Sequence, residues 1–140
     1  MRASLASIGG RRVDERGFTL IELLTVISLI VILATLGLAQ YRSSIQHSKE
    51  AVLKEDLFRM RDAIDQYYAD KNQYPPSLDA LVSEGYLRAV PKDPTTNAVE
   101  TWQTVPAEPD PNNPTAEPGI YDVKSGSDGT ALDGSRYSDW

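Results

Sequence analysis

The sequence predicts an α+β protein, one long N-terminal helix packed on a small antiparallel β-sheet. Three observations carry this. All nine prolines fall beyond residue 74, so nothing of that kind interrupts residues 18–74. Within that stretch an apolar run, Phe18 to Ala39, passes into a segment where apolar residues recur every three or four positions. After it, prolines and glycines leave room only for short elements.

The chain opens with residues 1–17, which carry Arg2, Arg11, Arg12 and Arg16 against Asp14 and Glu15, a local balance of +2. The apolar segment, residues 18–39, is broken only by Glu22 and small polar residues. About 20 apolar residues cross a bilayer, and a basic flank on one side favours cytoplasmic placement of that side. An ordinary secretory signal has a shorter apolar region, about 7–15 residues, ending at a small-x-small cleavage site. A plain membrane anchor fits the length but explains neither Glu22 nor Gly17. A carboxylate costs about 2.5–3.5 kcal/mol at the centre of a membrane helix and less near its end. It needs a partner there or must be neutralised.

Residues 40–73 form an amphipathic continuation. Ile45, Val52, Leu53, Leu57, Met60, Ile64 and Tyr67 or Tyr68 alternate with Lys49, Glu50, Lys54, Glu55, Asp56, Arg59, Arg61, Asp62 and Asp65. The two segments read as one helix of about 50 residues, at 1.5 Å each about 75–80 Å long. It should end near Lys71-Asn72, before Pro75-Pro76.

Residues 74–140 make the head. Ser77 is placed to cap a short helix from Leu78 to about Ser83, stopped at Gly85. A first strand is expected near Thr101–Val105 and a second over Ile120–Lys124. Between them Pro106, Pro109, Pro111, Pro114 and Pro118 mark an acidic surface loop.

Composition excludes several chemistries. The chain has no cysteine, hence no disulfide, thiolate metal site or cysteine nucleophile. The single histidine, His47, lies in a polar helical stretch with no catalytic partner in the pattern. Beyond residue 17 there are ten basic and eighteen acidic residues, a balance of −8, which suits nucleic acid poorly. No phosphate loop or catalytic constellation is present, so a non-enzymatic role is expected.

Basic leader, Gly17, Phe18-Thr19-Leu20-Ile21-Glu22 and apolar helix, in that order, resemble the processing signal of type IV prepilins and of the pseudopilins of type II secretion systems. The resemblance implies a pilin-like fold. It implies cleavage after Gly17 by the prepilin peptidase, and N-methylation of the new terminus, Phe18. Gly17 has no side chain to obstruct such a site. It also implies that Glu22 pairs with the Phe18 amino group of a neighbouring subunit, setting register in a helical filament. This chain has Ala39 where pilin families often carry proline.

The string Tyr74-Pro75-Pro76-Ser77-Leu78-Asp79-Ala80-Leu81, with Gly85-Tyr86-Leu87 and Pro91-Lys92-Asp93-Pro94, is similar to the loop after the long helix in the major pseudopilin of type II secretion systems. It departs after Asp93-Pro94, where Trp-Gly-Asn is usual and Thr95-Thr96-Asn97 stands here. The resemblance implies a non-enzymatic inner-membrane protein with one span and its head in the periplasm. Its partners would be further copies, other pseudopilins and the inner-membrane assembly platform. A surface-fibre pilin is the first rival, although such pilins commonly carry a cysteine-bounded loop. A monomeric membrane-anchored binding domain is the second, and it leaves Glu22 unexplained.

The tail, Ser125-Gly126-Ser127-Asp128-Gly129 through Asp133-Gly134-Ser135 to Asp139-Trp140, is rich in Asp, Gly and Ser. It resembles the C-terminal loop of major pseudopilins, which implies calcium as a candidate cofactor, none being otherwise required. Asp128 matches the family's Asp-Gly position. The later acidic pair falls at Ser135 and Arg136, so Asp133 or Asp139 would have to substitute. Asp-Gly pairs are also ordinary turn formers, and a polar turn pinned by Trp140 is the alternative.

Overall fold

The computed structural model describes residues 17–112, 114–115 and 117–140. The arginine-bearing leader, residues 1–16, lies outside the described residues. The chain divides into two compact units, Met1–Leu38 and Ala39–Trp140.

Helix α1, Leu20–Lys71, is continuous and contributes to both units. Its part in the first unit is apolar on every face and exposed, with Leu24, Ile30 and Leu36 about as open as Leu33. It is long and apolar enough to cross a membrane. Its small polar side chains are satisfied within the helix. Thr25 Oγ1 donates to the Glu22 carbonyl at 2.8 Å, Ser28 Oγ to Leu24 at 2.8 Å and Thr35 Oγ1 to Ile32 at 2.7 Å. A hydroxyl bonded back to its own helix brings no unpaired donor into an apolar medium.

In the second unit α1 supplies the core. Leu53, Leu57, Met60, Ala63, Ile64 and Tyr67 are buried. Each large one contributes roughly 1.5–3 kcal/mol by leaving water. The first cluster joins Leu53, Leu57 and Met60 to Trp102, Val123, Ala131 and Tyr137. The second joins Ala63, Ile64 and Tyr67 to Leu81 and Ile120. The expected apolar stripe is broader than the buried one: Ile45, Val52 and Tyr68 stay exposed. Glu50, expected on the solvated face, is buried instead.

Asn72 ends α1 in the left-handed conformation, φ 54°. Helix α2, Leu78–Ser83, begins at Ser77, whose Oγ accepts the Ala80 amide at 3.2 Å. Lys71 and Glu84 form an ion pair between the two helix ends.

Strands β1, Gln103–Pro106, and β2, Ile120–Lys124, make a two-stranded antiparallel sheet. Gln103 pairs with Lys124 and Val105 with Asp122, and the register slips between Val105 and Pro106. The first strand therefore lies two residues later than Thr101, the expected start. Its closing proline is tolerated because a two-stranded sheet has only edges. Ile120 and Val123 face the core. The proline-rich loop is closed at its neck by Ala107 N–H donating to the Gly119 carbonyl at 2.7 Å. A short 3-10 turn, Tyr137–Asp139, which sequence reasoning did not foresee, ends the fold.

Candidate functional site

The N-terminal residues form the first candidate. Gly17, Phe18 and Thr19 precede the helix, and all three are exposed. Among the described residues, a Cβ built on Gly17 would meet nothing within 4 Å. Phe18 is 85 % exposed.

Glu22 lies in the first turn of α1. Its amide donates to Thr19 Oγ1 at 3.2 Å, and its carboxylate Oε2 accepts the Thr19 amide at a longer 3.5 Å. This is a capping box, with Thr19 as N-cap and Glu22 at the third helical position. The carboxylate also sits at the positive end of the helix dipole. Sequence reasoning gave Glu22 a partner on a neighbouring subunit or, as the alternative, the membrane interface near the helix end. It missed Thr19, although Thr-x-x-Glu before an apolar run is the signal for such a box. The arrangement holds one carboxylate against Thr19, the residue after Phe18, and both Phe18 and Glu22 are exposed.

The C-terminal loop is the second candidate. Asp128, Asp133 and Asp139 are all exposed. Asp133 Oδ1 accepts the Ser135 amide at 2.9 Å and the Ser135 hydroxyl at 2.6 Å. Those bonds, the hydroxyl first, hold its carboxyl below the ordinary aspartate value. Among the described residues no group of three or more His, Cys, Asp or Glu side chains could hold a metal ion. Calcium takes six to eight oxygens, and these three aspartates do not make that donor set between them. Trp140 is half-buried, with Nε1 donating to Ser135 Oγ at 2.8 Å.

Two polar residues that hold the head were not singled out from the sequence. Asp93 is fully buried. Its Oδ1 accepts the Thr95 amide at 2.8 Å and the Thr95 hydroxyl, and its Oδ2 accepts Ser125 Oγ at 2.5 Å. It thereby ties the Asp93-Pro94 turn to the end of β2. Arg61 spans from α1 to β2, with Nε 2.7 Å from Asp122 Oδ1 and an NH2 group donating to the Val123 carbonyl at 3.0 Å.

The family model for the prokaryotic N-terminal methylation motif matches residues 12–38. The chain is 34 % identical over 103 residues to the type II secretion system core protein G of Pseudomonas aeruginosa, covering 62 % of this chain and 72 % of that protein. It is 30 % identical over 100 residues to the protein of the same name from Klebsiella michiganensis, covering 60 % and 70 %. The Escherichia coli protein of that name is 29 % identical over 99 residues, covering 59 % and 68 %. No solved structure matches the chain. The α+β fold, the methylation motif at the start of an apolar helix and these relatives agree: the chain belongs to the type II secretion system core protein G family.

Proposed function

We propose that this chain is the repeating structural subunit of a type II secretion pseudopilus, a filament that drives protein export across the outer membrane. The observation that carries the reading is the pairing of a match to core protein G relatives with the N-terminal methylation motif. An exposed apolar helix of membrane-spanning length is what such a subunit requires. Before assembly it would lie in lipid, and afterwards in the filament core. The names of the relatives do not favour a surface fibre.

In this reading the prepilin peptidase cuts after Gly17 on the cytoplasmic face of the inner membrane, and Phe18 receives one methyl group. The head, residues 74–140, stands in the periplasm. Further copies, other pseudopilins and the inner-membrane platform are the partners. The chain performs no chemistry itself. Glu22 exchanges part of its bonding to its own helix end for the amino terminus of Phe18 on a neighbour. A charge that is better satisfied in the filament than in lipid drives subunits out of the bilayer in one register.

Mass spectrometry tests the processing steps. The mature chain should begin at Phe18 and carry one added methyl, and a Gly17→Leu variant should remain full length in the membrane fraction. A mature terminus at Ala34 or Ala39 would mark an ordinary secretory signal and overturn the reading.

A further inference from the structure

The tail beyond Ser125 has the oxygen-rich composition that suits a hard cation, yet its carboxylates do not converge on one point. Groups on α1 reach it instead. Gln46, Glu50 and Lys54 stand one turn apart on a single helix face. Gln46 Nε2 donates to the Thr130 carbonyl at 3.1 Å and to the Tyr137 hydroxyl at 3.2 Å. Glu50 Oε1 accepts the Leu132 amide at 2.8 Å, the Tyr137 hydroxyl at 2.9 Å and Gln46 Nε2 at 3.2 Å. Lys54 Nζ lies 4.4 Å from the centroid of the Trp140 ring, and that ring meets Tyr137 edge-on at 5.2 Å.

Glu50 is the informative member. It is 7 % exposed. A carboxylate is retained in such a place only when its oxygens are hydrogen-bonded, and two of its three donors come from the tail. The tail likewise depends on Glu50, which is the acceptor for the partly buried Leu132 amide and for the buried Tyr137 phenol. A cation would gather carbonyl and carboxylate oxygens. Here the gathering centre is an anion, and the loop turns N–H and O–H groups toward it. Asp133, one of the acidic candidates in the tail, spends one oxygen on Ser135.

We propose that the Gln46–Glu50–Lys54 clamp, rather than a bound divalent cation, fastens the C-terminal segment, and that the head therefore folds without calcium. The consequence for filament growth rests on the pseudopilus reading. The test does not measure assembly, so the two can fail separately.

The full chain in detergent micelles is melted with excess calcium chloride and with excess EGTA, and amide exchange at Leu132 is followed by NMR. The two wild-type melts should superimpose. Glu50→Ala should lower the melting midpoint by several degrees and speed Leu132 exchange on the order of tenfold, by opening the tail locally. Glu50→Gln keeps the shape and an acceptor but loses the charge, so it should fold and fall between the two. A wild-type midpoint that rises with calcium, and loses that rise in Asp128→Ala, overturns the proposal. So does wild-type Leu132 exchange in both Glu50 variants.

Discussion

Thr19 and Glu22 cap each other at the start of α1, the Glu22 amide on the Thr19 hydroxyl at 3.2 Å and the Thr19 amide on the Glu22 carboxylate at 3.5 Å. The carboxylate therefore has a partner within its own chain before any neighbour arrives. Thr19→Ala removes the hydroxyl acceptor, and the loss of an N-cap costs about 0.5–2 kcal/mol. Amide exchange at Glu22 in micelles should accelerate, and Thr19→Ser should restore it. Unchanged exchange in the alanine variant would show that the helix starts at Leu20 without this cap.

A second prediction separates insertion from assembly. Glu22→Ala should enter the membrane at least as well as the wild type, since a charge is costly in lipid. It should still be cleaved and methylated, because Gly17 and Phe18 are untouched. Filament yield should fall sharply when counted by electron microscopy. Wild-type yield from this variant would remove the register role from Glu22.

What could be read from the sequence was local. The apolar run, the Ser77 cap and the Ile120–Lys124 strand are each set by residues within a turn or two of one another. What escaped depends on partners far along the chain. Glu50 sits among charged neighbours in sequence, and only Leu132 and Tyr137, 82 and 87 residues away, explain its burial. Asp93 looks like one more turn aspartate until Ser125, 32 residues on, closes over it. The tail's composition suggested a cation site, but composition carries no information on whether three carboxylates point to one place. Thr19 is different: its signal, Thr-x-x-Glu ahead of an apolar run, is wholly local.

Asp93 should be the most sensitive polar residue of the head. Asp93→Ala leaves the Thr95 amide and two hydroxyls without their acceptor, with Ser125 fully buried. Unsatisfied buried groups cost roughly 1–3 kcal/mol each, and a total of about 2–4 kcal/mol is expected after local relaxation. For a unit of this size that lowers the melting midpoint by on the order of 10 °C. Asp93→Asn keeps one oxygen and should lose less than half as much. Equal loss from both variants would mean that the charge, rather than the count of acceptors, holds the turn.

The last prediction concerns alkaline pH and Tyr137. Burial above all pushes its phenol above the ordinary value of 10.0; the hydrogen bond from Gln46 opposes this, and the Glu50 carboxylate beside it adds to the rise. The folded state thus binds this proton more tightly than the unfolded state does. Its contribution to stability is fully present below pH 10 and is lost as pH rises through the higher folded value. Ionised Tyr137 would set a phenolate against Glu50 and remove the hydrogen bond at 2.9 Å. Tyr74 and Tyr86 are also raised, Tyr74 by burial first and Tyr86 by its hydrogen bond to Asp70, so they add to the same alkaline loss. Comparison with Tyr137→Phe isolates the one residue. That variant should melt lower at neutral pH, because Glu50 loses a donor worth about 1.5–3 kcal/mol to a charged acceptor. Its midpoint should then fall less steeply than the wild type's as pH passes 10. Parallel curves across that range would show that Tyr137 ionises without releasing the tail.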